Sequence, residues 1–144
     1  MRAHDLGLKA LALTDHDNLC GAMHFAQVAK TIGIQSITGV EMTIKDKLLS
    51  KDGAPGKSVT PGKDSPEIGP GSHLTFLAET GEGYSQLSNL ISYSYVAGDR
   101  KDPALDLKYL PDRVHGLILL TGCRTGRLPS LLTEGRFAEA EDQL

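Results

Sequence analysis

Tryptophan is missing from this chain of 144 residues, and aromatic residues make up only 5% of it. Single-stranded nucleic acid is gripped largely by bases stacking on aromatic rings, so no stacking platform is expected here. A basic stripe is missing too. The formal net charge is -3, whereas a domain that holds DNA by itself carries a strong positive surface. Any nucleic-acid contact is expected from other parts of a longer chain. Cysteine is limited to Cys20 and Cys123, far apart, with no CxxC pair and no disulfide framework. The start shows no charged stretch followed by an apolar run, so no signal peptide is read. The longest apolar runs are far too short to cross a bilayer. These absences point to a cytoplasmic protein with reduced thiols and no membrane partner. What remains is ordinary globular composition, 40% hydrophobic and 23% charged. That suffices for one domain, or part of one, with a real core.

Local patterns give alternating strands and helices. Ala3 to Gly7 reads as the last turn of a helix stopped by Gly7, which suggests a chain that begins in mid-domain. The apolar run Lys9–Thr14 suits a buried parallel strand. Gly21 to Ile32 places Ala22, Phe25, Ala26, Val28, Ala29 and Ile32 along one helical face, and Gly33 ends it. Ile34–Val40, continued by Glu41–Ile44, is the next strand. Residues 50–72 hold four prolines and five glycines and read as a mobile loop inserted into the domain. Leu74–Ala78 reads as a strand and Gly83–Val96 as a helix. Asp106–Val114 reads as a helix shortened by Pro111. Gly116–Thr121 is the clearest buried strand. Short helices follow at Leu128–Thr133 and Arg136–Leu144. Apolar runs separated by helical patterns predict a mainly parallel α/β structure, with strands near 9–14, 34–40, 74–79 and 117–121.

Polar chemistry collects at strand ends. Asp15-His16-Asp17-Asn18 follows the first strand, Glu41 follows the second, and Gly122-Cys123 follows the last. In parallel α/β folds the carboxyl ends of strands carry the active site. His, Cys and Glu are all ligands of first-row metals. Each group also has a plainer reading. The Asp-His pair suits a helix N-cap, a lone Glu is usually solvated, and a Cys after Gly usually packs as a small hydrophobe. Cys20 is assigned to packing, His73 alone would be a loop histidine, and His4, His24 and His115 carry no pattern. On residue types alone the yield is an α/β domain with a possible metal site.

Four segments then fall into one order. Leu11-Ala-Leu-Thr-Asp-His-Asp-Asn-Leu19 with Gly21-Ala22, Ile37-Thr-Gly-Val-Glu41, Ser72-His-Leu-Thr-Phe-Leu-Ala78 with Gly83-Tyr84 and Leu87, and Gly116-Leu-Ile-Leu-Leu-Thr-Gly-Cys123 with Gly126 and Leu131-Leu132 cover nearly all of the chain outside the loop. Together they resemble the PHP (polymerase and histidinol phosphatase) family, in the branch carried by bacterial DNA polymerase III alpha-type and error-prone polymerases. The resemblance implies part of a distorted seven-stranded (β/α) barrel and a cluster of divalent metal ions. It implies His16, Glu41, His73 and Cys123 as ligands, and no catalytic residue is assigned. Two family motifs, His-x-His and Asp-x-His, are expected outside these residues, so about half of the ligand set is expected here. His73 starts its strand rather than ending it. It can join the cluster if that strand runs antiparallel to its neighbour, or if the long loop folds over the site.

The chemistry that the resemblance implies is hydrolysis of phosphate esters, by a metal-dependent phosphoesterase or 3′–5′ exonuclease site. Paired divalent metals deprotonate a water and clamp the attacking and leaving oxygens. Glu41 is expected as a bridging carboxylate, with His16 and His73 as neutral ligands. Each histidine needs an acceptor for its other nitrogen, which Asp15 or Asp17 could supply. A Cys123 thiolate favours zinc over magnesium, so zinc or manganese is expected before magnesium. Three functions follow: part of a DNA polymerase III alpha-type protein in replication or repair, a stand-alone PHP phosphatase of the histidinol-phosphatase kind, or a non-catalytic platform. The first has the rest of the polymerase chain and, through it, DNA as partners. A reading frame running on for many hundreds of residues separates it from the second. Bound metal without nuclease turnover marks the third. The segment by itself is expected to bind metal weakly and to hydrolyse nothing efficiently.

Overall fold

The computed structural model describes residues 2–45, 72–97, 101, 103–122 and 127–141. Most of the Pro/Gly-rich segment and Cys123, both singled out above, lie outside the described residues. Helix α1, Arg2–Asp5, ends at Gly7 with φ +75°. Strand β1, Ala10–His16, leads into helix α2, Ala22–Thr31, which places Ala22 and Ala29 in the interior. Gly33 at φ +73° closes α2, and the Ile34 N–H returns to the Ala29 carbonyl at 3.0 Å. Strand β2, Gln35–Lys45, is one uninterrupted element through Glu41. Strand β3 is Ser72–Ala78, helix α3 Gly81–Ala97, strand β4 Leu105–Asp106 and strand β5 Leu117–Leu120. Helices α4, Arg127–Thr133, and α5, Phe137–Glu141, follow.

The sheet has five strands in the order β1-β2-β3-β5, with β4 pairing the end of β2. It is mixed, not mainly parallel. β1 and β4 run parallel to β2, but β3 is antiparallel to both β2 and β5. An apolar run reports that a strand is covered, and it does so equally for either direction. This explains why the strand positions were readable and their directions were not.

Alternation along β2 separates two faces. Val40, Met42 and Ile44 point to one side, where they join Phe76, Leu105 and the α3 residues Leu87 and Leu90 in a core cluster with almost no exposure. Glu41 and Thr43 point to the other side. Both long helices lie on the core side: α3 packs through Leu87 and Leu90, and α2 with Phe25 and Ala29 lies beside Leu11 of β1.

Two expectations fail for local reasons. Residues 106–114 form no α-helix. Leu105–Asp106 is used in the bridge to β2, and the Asp106 carboxylate accepts from the Lys108 N–H and starts a 3-10 turn over Leu107–Tyr109. Pro111 prevents continuation. The turn is tied to α3 by the stacked rings of Tyr93 and Tyr109, 5.0 Å apart, with the Arg113 guanidinium 4.8 Å from Tyr93. Strand β5 is also not a buried strand. Ile118, Leu119 and Leu120 are 46–49% exposed, because β5 is the last strand of the described sheet and only Leu117 packs against the core cluster.

Candidate metal centre

Strand register brings the polar groups together. His16 is the last residue of β1 and lies beside Glu41 of β2. On the other side of β2, His73 lies beside Thr43, and Thr75 beside Glu41. Because β3 is antiparallel, its first residues lie at the end of the sheet where β1 finishes. This is the first of the two arrangements by which His73 could join the site. His16, Glu41 and His73 therefore share one end and one face, opposite α2 and α3.

The two imidazoles meet edge to face, with Nε2 of His16 and Nε2 of His73 3.2 Å apart. The other nitrogens face carboxylates. His16 Nδ1 is 2.7 Å from Asp17 Oδ2, and His73 Nδ1 is 4.0 Å from Glu41 Oε1. The His16 side chain is half exposed, and those of Glu41 and His73 about one-third exposed, so the pair opens to solvent.

Asp17 is held on all sides. Its N–H donates to the Glu41 carbonyl at 2.9 Å. Its Oδ1 accepts from the Thr43 N–H and its Oδ2 from the Thr43 hydroxyl, both at 2.8 Å. Of the two carboxylates proposed from sequence to support a histidine, Asp17 takes that place. Asp15 turns away and accepts from the Gly21 N–H at 2.7 Å ahead of α2. Thr43 was missed by sequence reasoning. The signal was its position two residues beyond Glu41 on an alternating strand, which puts it on the same face. Cys20 is a correction: it is exposed in the turn before α2 rather than packed.

Two imidazole nitrogens that share an ion at about 2.0–2.1 Å each must lie within about 4.2 Å of one another. The 3.2 Å separation meets that condition. Among the described residues no three His, Cys, Asp or Glu side chains already close around one point, since Glu41 stands off toward the far nitrogen of His73. The residues thus form a histidine pair with a carboxylate to one side. Cys123 lies outside the described residues. Gly122 just before it takes φ +84°, and a Cβ there would overlap the His73 carbonyl oxygen, so the chain at 122 runs directly beside the first residues of β3.

The chain is 36% identical to the error-prone DNA polymerase of Symbiobacterium thermophilum over 94% of its own length and 12% of that protein's. It is 38% identical to the DNA polymerase III subunit alpha of Treponema pallidum over 97% of its length and 11% of that protein's. It thus spans about one-ninth to one-eighth of these relatives. A solved structure from Bifidobacterium adolescentis, provisionally classed as a metal-dependent phosphoesterase, aligns over 69% of this chain and 27% of its own, at 19% identity and a TM-score of 0.42, too low to carry an argument. No described helix is long and apolar enough to cross a membrane. The family model for the PHP domain matches residues 1–144, and the chain belongs to that family.

Proposed function

We propose that this chain is the PHP portion of a DNA polymerase III alpha-type protein, replicative or error-prone, working in the cytoplasm. In this reading His16, Glu41, His73 and Cys123 hold a divalent cation for phosphoester chemistry. The rest of the polymerase chain is the partner, and DNA is met through it. The mixed sheet is then part of a seven-stranded barrel, and its face opposite α2 and α3 is the barrel's interior. The observation that carries the reading is the approach of the two histidine Nε2 atoms to 3.2 Å on that face. Two imidazoles brought this close need either a proton or a cation between them.

A bound divalent cation supplies a Lewis acid and an acidified water. The chain's own residues do the rest. His16 and His73 offer neutral nitrogen donors, and zinc or manganese suits such donors better than magnesium. Glu41 adds a carboxylate whose oxygen can turn toward the pair, and a Cys123 thiolate would complete a set suited to one zinc. The half-exposed His16 side chain keeps the pair open to solvent. Four such ligands serve one ion, whereas clamping both the attacking and the leaving oxygen takes two.

The test is to load the purified chain with zinc or manganese, and to measure stoichiometry together with 3′-end trimming of a DNA primer. About one ion per chain is expected, with affinity down roughly 10–100-fold in His16→Ala and His73→Ala, and no efficient trimming. Tight binding of two or more ions, with trimming lost in Glu41→Ala, would show instead a nuclease complete within these residues. Absence of binding at any concentration would leave only the platform role.

A further inference from the structure

We propose that Asp17 is the positioning residue of this centre: its carboxylate fixes the tautomer and orientation of His16 so that a bare Nε2 faces His73. The inference rests on the metal-centre reading above, and it concerns a residue not counted among the ligands.

The backbone gives the first reason. Asp17 is the only non-glycine residue among those described with φ in the left-handed region, at 55°. That conformation is strained for a residue bearing a Cβ, although Asp tolerates it better than most. Glycine would make the same turn without strain. A side chain kept at such a position points to a use for it.

The side chain gives the second reason. Asp17 is only 4% exposed, and a buried carboxylate is costly unless hydrogen bonds satisfy it. Three donors reach it: the Thr43 N–H at Oδ1, and the Thr43 hydroxyl and His16 Nδ1 at Oδ2. With both Thr43 donors already on it, the carboxylate presents an acceptor to His16 at 2.7 Å, a geometry in which the neutral ring donates from Nδ1. Its Nε2 is then a lone pair, aimed at His73. Without that acceptor the neutral ring can carry its proton on either nitrogen. Thr43 anchors the carboxylate to β2 on the face that bears Glu41 and beside His73 in register. The orientation of His16 is thereby set relative to both other groups.

The measurement is nitrogen-15 NMR of the histidine rings in the metal-free full chain, followed by zinc titration. Wild-type His16 is expected with its proton on Nδ1. In Asp17→Asn the carbonyl oxygen can still accept from the Thr43 N–H, but the amide NH2 then faces His16 Nδ1. Flipping the amide would set NH2 against the Thr43 N–H. The ring must therefore accept at Nδ1 and move its proton to Nε2, where it blocks the position facing His73. Zinc affinity is expected to fall about 10–100-fold. Asp17→Gly, which relieves the left-handed strain, is expected to retain the fold and to show mixed tautomers. If both variants only melt earlier, with the tautomer and zinc affinity of the folded protein unchanged, Asp17 is structural and the proposal is overturned. A wild-type His16 protonated on Nε2 overturns it without any variant. A tautomer that switches in Asp17→Asn, in a wild type that binds no zinc, upholds the positioning role and removes the metal-centre reading instead.

Discussion

A methyl group added at Gly83 would overlap the carbonyl oxygen of Gly116, which already accepts from the Glu79 N–H at 2.9 Å. Helix α3 begins so close to the turn before β5 that neither glycine leaves room for a Cβ. Gly81, two residues earlier, has nothing within 4 Å. The pair makes a clean comparison. Gly83→Ala should destabilise by about 2–3 kcal/mol through overpacking against rigid backbone, despite the advantage of about 1 kcal/mol that alanine has inside a helix. Gly81→Ala should be neutral or stabilising by up to about 1 kcal/mol. Urea denaturation of both variants checks this, and equal midpoints would refute the close-contact argument. Gly83 and Gly116 both stand in the ordered motifs of the sequence, and steric exclusion supplies a reason for each. His16, Glu41 and His73 were legible from the same motifs, and register brings them together. The support of His16 by Asp17 and Thr43 was only half legible. It depends on a left-handed turn and on which of two nearby carboxylates points inward, and dihedral angles of that kind leave no mark in composition or periodicity.

Elements were legible where a strand or helix is covered on one side, and misread where an edge or a turn takes over. β2 and α3 present regular apolar spacing because each buries a stripe against the other. The segment around Leu107–Tyr109 carries similar apolar residues, but Asp106 caps a short 3-10 turn and Tyr109 spends its ring on Tyr93. Apolar content alone could not separate these outcomes. β5 shows the opposite problem: four consecutive apolar residues, three of them roughly half exposed. Among the described residues no strand pairs the outer edge of β5, and an apolar edge of that kind is a template for pairing with another chain. This chain is therefore expected to self-associate with rising concentration. Leu119→Lys should weaken association on the order of tenfold, or about 1.4 kcal/mol. Sedimentation velocity over a concentration series tests this, with circular dichroism to verify the fold. Association unchanged by the lysine would mean that another surface is responsible.

At the scale of the whole molecule, the candidate ligands sit on separate strands, His16 on β1, Glu41 on β2 and His73 on β3. An ion held by all three ties the sheet across its width, so binding is coupled to folding. Free zinc at 100 times its dissociation constant should add about 2.7 kcal/mol of stability and raise the melting temperature by several degrees. The rise should vanish in His16→Ala. A melting temperature indifferent to zinc would show that the strands are held in register without help from an ion. The same arrangement also has a history in time. His73 follows His16 by 57 residues, which a ribosome adds in about 3–11 s at 5–20 residues per second. During that interval β1, α2 and β2 can already pair as a contiguous unit, but His16 has no opposite number. Ions met early would find one histidine and a carboxylate, a weak and unselective site. Discrimination between competing cations would then wait for β3 to close against β2, making metal choice a late step in the birth of the protein rather than a property of its first folded unit.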